Sequence, residues 1–589
     1  MCGIAGIWDF AGGRHDASAM ATHLTHRGPD SSGAYTNDAG VSLGFRRLAI
    51  VDLSEAGAQP MHSASGRYVL VFNGEIFNFE RLRARLPQQS WRGHSDTEVL
   101  LACIEEWGLE KAVSESIGMF AFSLWDTRER TLSLVRDRAG VKPLYYALTP
   151  QGVQWASELR ALDVEQVIDP TAAALYARYR YVPAPWSILK GVQKLMPGTI
   201  LTIARDSTKE TKYWDPIQIA ERAANNRFRG SEDEALQALD DLLGDSVALR
   251  MIADVPLGVF LSGGVDSSLI ASLMQRHASG PIHTFTIGFE DPRFDESRFG
   301  REVAQHLGSR HDEMVVSIDE ALQLVPQLAT IYDEPFADSS ALPTYLVSRL
   351  ARQSATVALS GDGGDELFAG YHHHFLGRRL QRRVRAVPRF ARGVTGRVLR
   401  TLRRTRSLGQ ALVENDPIAT YHRGMLLHLS AIAPLAREMP RLDDPTEQVM
   451  FLDFTTYLPD DILVKVDRAS MAVSLEARTP FLDHRVVELA WSLPLSMKIR
   501  DDRGKWILRR LLKRYLPETL VDREKQGFGL PLAAWLRGPL RDWAESLLSD
   551  VREPFDRKWV RAMWHAHLRG GNHESALWTV LMFEAWKRA

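Results

Sequence analysis

The 589-residue sequence predicts a chain in two folded parts. The first is a β-rich α+β unit over the opening 160 or so residues. The second is an α/β unit on a mostly parallel sheet, which becomes largely helical from about residue 450. Residues 119–126 and 131–135 are strand-like runs around a short polar turn, the pattern of a hairpin, and residues 144–147 with 153–156 repeat it. From about residue 230 the rhythm changes. Strands at 256–261 and 284–289 alternate with helices at 267–277 and 297–307, and further strands follow at 311–317 and 356–360. Such alternation predicts a parallel sheet with helices on its faces. The length supports two or three domains with full cores. Turn punctuation at Tyr181-Val182-Pro183-Ala184-Pro185 and Leu195-Met196-Pro197-Gly198 marks a connection. The expected division is therefore 2–165, a connecting region 166–229, and 230–589, with no long-period repeat.

Composition excludes several classes. Lys plus Arg (72) nearly cancels Asp plus Glu (73), so no global field favours nucleic acid. Two cysteines, Cys2 and Cys103, form neither a disulfide framework nor a zinc-ligand cluster, which fits a reducing compartment. The start has no charged-then-apolar leader, and no apolar run reaches a membrane span. The expectation is a cytoplasmic protein without integral membrane contact. One tract breaks the charge balance: residues 378–406 hold twelve Arg and no acid, interleaved with Leu, Val and Phe. A basic amphipathic helix can lie on an anionic membrane, but a surface helical excursion with a solvated face is the preferred reading.

Cys2 is the most informative single residue. Once Met1 is trimmed, a thiol there has its own α-amine as neighbouring base, and such an amine titrates at about 7.7–8.0. The active protein is therefore expected to begin at Cys2. Position alone proves little, but three motifs join it: Arg46-Arg47-Leu48-Ala49-Ile50-Val51-Asp52, Asn73-Gly74-Glu75-Ile76-Phe77-Asn78 and His94-Ser95-Asp96-Thr97-Glu98. An Arg clamps a carboxylate with two parallel bonds. An Asp and a Glu receive an ammonium. An Asn side chain beside a Gly N–H makes an oxyanion hole, and Gly lets the backbone approach a substrate closely. This is what a site for an α-amino acid amide needs. Singly the motifs are weak, since Asn-Gly is commonly a turn.

Together, in this order, and with His26-Arg27-Gly28-Pro29-Asp30, Gly118-Met119-Phe120-Ala121-Phe122 and Arg136-Asp137-Arg138, they resemble the class II glutamine amidotransferase domain over residues 2 to about 165. That family has the N-terminal nucleophile fold, an αββα sandwich of two antiparallel sheets between helices. The resemblance implies that Cys2 is the nucleophile and that Asn73 and Gly74 form the oxyanion hole. It implies that Arg47 holds the glutamine carboxylate, that Glu75 and Asp96 hold the amino group, and that backbone of the Leu48-Ala49-Ile50-Val51 run meets the amide.

In the second half, Leu261-Ser262-Gly263-Gly264-Val265-Asp266-Ser267-Ser268 follows an apolar strand and opens a helix. N–H groups of such a turn cradle phosphate, though an ordinary helix cap is the plain alternative. No Lys ends the loop, so it is not the loop of γ-phosphate transfer. It resembles the pyrophosphate loop of ATP pyrophosphatases, which cleave ATP between α- and β-phosphates. A second loop, Ser360-Gly361-Asp362-Gly363-Gly364-Asp365-Glu366, also follows an apolar strand, and its carboxylates suit Mg²⁺.

Further motifs are Asp333-Glu334-Pro335-Phe336-Ala337-Asp338-Ser339-Ser340, Lys465-Val466-Asp467-Arg468-Ala469-Ser470-Met471, Ser474-Leu475-Glu476-Ala477-Arg478-Thr479-Pro480-Phe481-Leu482-Asp483 and Gly504-Lys505. With these, nearly the whole chain resembles the glutamine-hydrolysing asparagine synthetases. The resemblance implies that Leu261, Ile287, Ser360 and Gly361, with the Ser262–Ser268 loop, contact ATP. It implies that Asp266 and Asp365 bind Mg²⁺ with pyrophosphate, and that Lys505 neutralises charge as pyrophosphate leaves. The resemblance also implies that Asp362, which stands where some members carry Glu, takes part in forming the acyl-adenylate. The implied reaction uses glutamine, ATP and, as the family default, aspartate, and a homodimer is an assembly this reading allows. The alternatives are a pathway amidotransferase acting on a sugar acid or antibiotic precursor, and a non-catalytic glutamine-binding scaffold.

Overall fold

The computed structural model describes residues 2–87, 90–291, 295–401, 408–409, 412–413, 438–522 and 530–589. Met1 and the end of the Arg-rich tract, 402–406, lie outside the described residues.

The first half is built on two antiparallel six-stranded sheets. One runs in space Gln193–Lys194, Tyr145–Thr149, Gly152–Ala156, Gly3–Asp9, Val41–Arg47, Ser31–Thr36. The other runs Ser207–Lys212, Thr199–Ala204, Thr131–Arg136, Gly118–Asp126, Tyr68–Ile76, Met61–His62. Side-chain alternation along a strand explains the layering. Val69 and Val71 face the other sheet, where they join Ile4, Trp8, Leu43, Phe45, Trp125 and Leu134 in one core. Their neighbours Leu70 and Phe72 face outward, against Val99, Leu100, Cys103 and Ile104 of the helix Asp96–Trp107. On the far side Ala17 and Met20 of the helix Ala17–Thr22 pack with Ala5. The result is the expected αββα sandwich.

Both expected hairpins form, Gly118–Asp126 with Thr131–Arg136 and Tyr145–Thr149 with Gly152–Ala156. The stretch 166–229 does more than connect. Its strand Thr199–Ala204 pairs with Thr131–Arg136, Leu201 opposite Leu134, and Ser207–Lys212 extends the same sheet.

The second half carries a parallel sheet of five strands in the order Arg310–Val316, His283–Phe289, Leu257–Phe260, Val357–Leu359, Glu476–Arg478. The chain fills one side of Leu257–Phe260 first and then crosses to the other. The order therefore reverses between Leu257–Phe260 and Val357–Leu359, and a crevice opens beyond the carboxyl ends of strands at such a switch. Both glycine-rich loops leave those two strands at that end. Beyond residue 450 the chain is largely helical, as expected, and Glu476–Arg478 is a short strand within that tract. The Arg-rich tract forms the helices His372–Arg385 and Arg389–Thr401, with Phe390 and Val394 exposed. Among the described residues no helix is long and apolar enough to cross a membrane.

Buried ion pairs join the halves. Arg27 donates to both Asp467 oxygens at 2.8 and 2.9 Å and to Glu158 at 2.8 Å. Arg468 meets Glu158 at 2.7 Å. Removing charges from water is costly unless each is paired, and here every member is paired. Breaking one pair leaves an uncompensated charge in the junction.

Candidate active site

Cys2 opens the strand Gly3–Asp9 and is buried, which pushes its thiol pKa up. Its backbone nitrogen donates to Asn73 Oδ1 at 3.0 Å, and Sγ lies 3.9 Å from the Leu48 carbonyl oxygen. Asn73 is fully buried, and its Nδ2 has no hydrogen-bond partner among the described residues. A buried donor without an acceptor is expensive. Beside the thiol, it is the group an oxyanion would satisfy. Gly74 lies tight against the neighbouring strand, where a Cβ would meet the Met119 carbonyl oxygen at 2.1 Å.

The charged walls follow. Arg47 donates to the Ser54 carbonyl at 2.8 Å and to the Asp52 carbonyl, which fixes its guanidinium. Asp96 accepts N–H groups of Ile76 and Thr97 at 2.8 and 2.7 Å. Burial outweighs these bonds and raises its pKa to about 6. Burial, with Asp96 and Glu476 nearby, holds Glu75 well above the usual carboxylate range. Of the loop after Arg47, the Ala49 N–H is taken by Asp30 and the Ile50 carbonyl by the Asp254 N–H, both at 2.8 Å. Leu48, Ile50 and Val51 are buried.

Two residues from the far end of the sequence complete this pocket. Arg478 lies 3.7 Å from Glu75 and 2.6 Å from Glu476, with both Arg478 and Glu476 fully buried. Both belong to a motif singled out above, but their arrival here is tertiary and carries no local signal.

The second site is a cleft of about 690 Å³ at the switch point. Leu261, Ser262, Gly263, Gly264, Asp266, Ser267, Ile287, Ser360, Gly361, Asp362, Asp365 and Lys505 all line it. Ser268 does not. One residue further round the helix Val265–His277, it points into the protein and is buried. No side chain caps that helix, whose N-cap is Gly264. The first-turn N–H groups thus face the cleft with the positive end of the helix dipole. Gly361 permits the two loops to touch, since a Cβ there would meet the Ser267 nitrogen at 2.8 Å.

Lys505, in a left-handed conformation (φ 58°), reaches between the two loops. Its Nζ pairs with Asp266 and lies 2.6 Å from Asp365, and these partners raise its pKa against the opposing effect of burial. A cation therefore sits between these two carboxylates already, and all-oxygen donors of this kind suit Mg²⁺. Ser360 Oγ donates to Asp362 at 2.7 Å, and burial raises the Asp362 pKa.

The cleft also holds groups to which sequence reasoning gave no role. Lys465 donates to Asp338 and Ser340 at 2.9 Å each. Burial opposes ionisation of Asp338, but Lys465 outweighs it and holds the pKa well below the usual range. Glu366 accepts from Tyr371 at 2.7 Å, and burial beside Asp365 raises its pKa to about 8.

Residues 1–214 match the glutamine amidotransferase domain family, and residues 238–588 match the asparagine synthase family. The chain is 32% identical over 627 residues to asparagine synthetase (glutamine-hydrolyzing) 1 of Bacillus subtilis, covering 100% of this chain and 96% of the relative. It is 30% identical to asparagine synthetase (glutamine-hydrolyzing) 3 of the same organism, covering 90% and 87%. It is 28% identical to the amidase chyE of Penicillium rubens, covering 93% and 92%. With both sites present and both halves matched, the chain belongs to the asparagine synthase family, in its form with an N-terminal glutamine amidotransferase domain.

Proposed function

We propose that this chain is a glutamine-dependent asparagine synthetase. Glutamine is hydrolysed at Cys2, and the ammonia displaces AMP from a β-aspartyl adenylate made from aspartate and ATP. The products are asparagine, glutamate, AMP and pyrophosphate. The observation that carries the reading is the pairing of two unlike sites in one chain. One is a buried thiol beside an unsatisfied amide donor. The other is a cleft at a sheet switch point in which an ammonium bridges two carboxylates. Sharing a chain raises the local ammonia concentration and shields it from protonation.

In the first site Cys2 Sγ attacks the amide carbon, and the α-amine left by removal of Met1 takes the thiol proton and hands it to the nitrogen as the C–N bond breaks. Ammonia leaves a thioester on Cys2, which water then cleaves to glutamate and the free thiol. Asn73 Nδ2 and the Gly74 N–H receive the oxyanion. Arg47 orients the carboxylate, and Glu75 and Asp96 orient the ammonium. In the second site the Ser262–Ser267 loop and the helix N-terminus receive phosphate oxygens, and Lys505 neutralises the pyrophosphate as the α–β bond breaks. Asp266 and Asp365 would hold Mg²⁺, which when bound supplies charge neutralisation at the phosphates. Incubating the protein with glutamine, ATP and aspartate and identifying the amide product tests the acceptor. Formation of asparagine supports the reading, and its absence alongside amidation of another carboxylate overturns the assignment of aspartate. A non-catalytic scaffold is disfavoured because both sites keep their reactive groups.

Two results are expected from the glutaminase site. Gly74→Ala should lower glutamate release by about 10²–10³-fold, the cost of a displaced oxyanion donor. The added methyl has no room against Met119, and ammonium-driven synthesis should persist in the same preparation. Native-rate glutamate release would remove Gly74 from the site. The second concerns pH. The glutamine ammonium needs Asp96 ionised, and burial sets the free-protein pKa of Asp96 near 6. kcat/KM for glutamine should therefore fall as pH drops through about 6, because free-enzyme groups govern that parameter. Asp96→Asn should move this acid limb, because Glu75, which Asp96 helps hold high, then remains as the carboxylate that the ammonium needs ionised. A limb unchanged in that variant would assign it to another group.

A further inference from the structure

Both backbone polar groups of Cys2 are tied. Its nitrogen is held by Asn73, within the amidotransferase half. Its carbonyl accepts from Arg27 Nε at 3.2 Å, and Arg27 is fully buried. The rest of that guanidinium is anchored by Glu158 at 2.8 Å and by both oxygens of Asp467, which lies in the other half. A two-pronged carboxylate–guanidinium pair fixes the plane of the guanidinium as well as its position. Asp467 therefore sets where Nε points.

Asp467 belongs to the helix Leu463–Met471. Two residues earlier on that helix, Lys465 stands in the cleft, bound to Asp338 and Ser340. One residue later, Arg468 meets Glu158 at 2.7 Å. Just beyond the helix, Ser474 Oγ donates to the His26 carbonyl at 2.7 Å, next to Arg27. One short helix thus touches the nucleotide cleft on one side and grips the support of the nucleophile on the other.

We propose that Asp467 is a positioning residue for Cys2, and that the helix Leu463–Met471 is the element through which occupation of the cleft changes the rate of glutamine hydrolysis. This rests on the functional reading above. A ligand that rearranges the Lys465 contacts displaces the helix, and Asp467 carries the shift through Arg27 to the Cys2 carbonyl.

The test uses the full chain with Asp467→Asn, which keeps the shape and loses the charge of the fork. Glutamate release from glutamine alone should fall in kcat by about tenfold to hundredfold with KM little changed, the effect of a misplaced nucleophile. Alkylation of Cys2 by iodoacetamide should change rate in step. Ammonium-driven AMP formation should remain at the wild-type rate. ATP plus aspartate should change the wild-type glutaminase rate, and that change should disappear in the variant; a wild type that does not respond overturns the role given to the helix.

A folded Asp467→Asn protein with native kcat and native response to ATP plus aspartate overturns the proposal. Equal loss of both activities also overturns it, because it shows a purely structural role. If the melting curve shows that this variant does not fold, Arg27→Lys replaces it. That variant keeps a charge for Asp467 and Glu158 but offers no Nε to the Cys2 carbonyl. It is expected to show the same kcat loss, and native kcat there overturns the proposal. Failure of the functional reading is recognised separately, by wild-type protein that releases no glutamate or a Cys2→Ala variant that still does.

Discussion

Cys2→Ala is expected to lose glutamate release by on the order of four decades or more while ammonium-driven amide formation continues at the native rate. Losses of this size accompany removal of a covalent nucleophile, because the remaining oxyanion hole and binding groups retain only part of the catalysis. The selectivity follows from the geometry. The thiol lies 3.9 Å from the Leu48 carbonyl oxygen, and the Cys2 nitrogen is held by Asn73, both within the amidotransferase sandwich. The cleft groups proposed to handle ATP come from the loops after Leu257–Phe260 and Val357–Leu359 and from Lys505. Parallel assays of glutamate and of AMP, with glutamine or ammonium chloride as nitrogen source, check this. Equal loss of both activities in a folded variant would contradict two separate sites.

Lys505→Met is expected to cut pyrophosphate release by about 10²–10³-fold, the scale of removing one preorganised charge from a transition state. Basal glutaminase should persist. The structure adds a second consequence. Without the ammonium, Asp266 and Asp365 face each other across the gap that Lys505 now bridges. Their mutual repulsion is relieved only by protonation or by a cation. Added Mg²⁺ should therefore raise the melting temperature of the variant more than that of the wild type. Unchanged pyrophosphate release would remove Lys505 from the chemistry, and an unchanged response to Mg²⁺ would remove the carboxylate pair from the metal site.

Much of this architecture is legible in the sequence. Residues 119–135 alternate strongly around a polar turn and form the hairpin they suggest. The two glycine-rich loops are visible because each follows an apolar strand. What escaped reading did so for physical reasons. Glu476–Arg478 has three residues, two of them charged, and resembles a surface turn. It is a strand because the two charges neutralise each other at 2.6 Å inside the protein. Arg478 and Glu476 reach the Glu75 pocket from some four hundred positions away, and local pattern carries no trace of such a contact. Lys465 looks like one polar point on an amphipathic helix until Asp338 is placed beside it. Ser268 reads as part of its loop, but helical rotation turns it from the cleft that Ser267 lines.

The central claim is that one chain couples glutamine hydrolysis to adenylylation of a carboxylate. Quantifying all products of a single incubation with glutamine, ATP, aspartate and Mg²⁺ tests it most directly. Asparagine, AMP and pyrophosphate are expected in equal amounts, with glutamate at least equal to them. ADP and phosphate in place of AMP and pyrophosphate would contradict it.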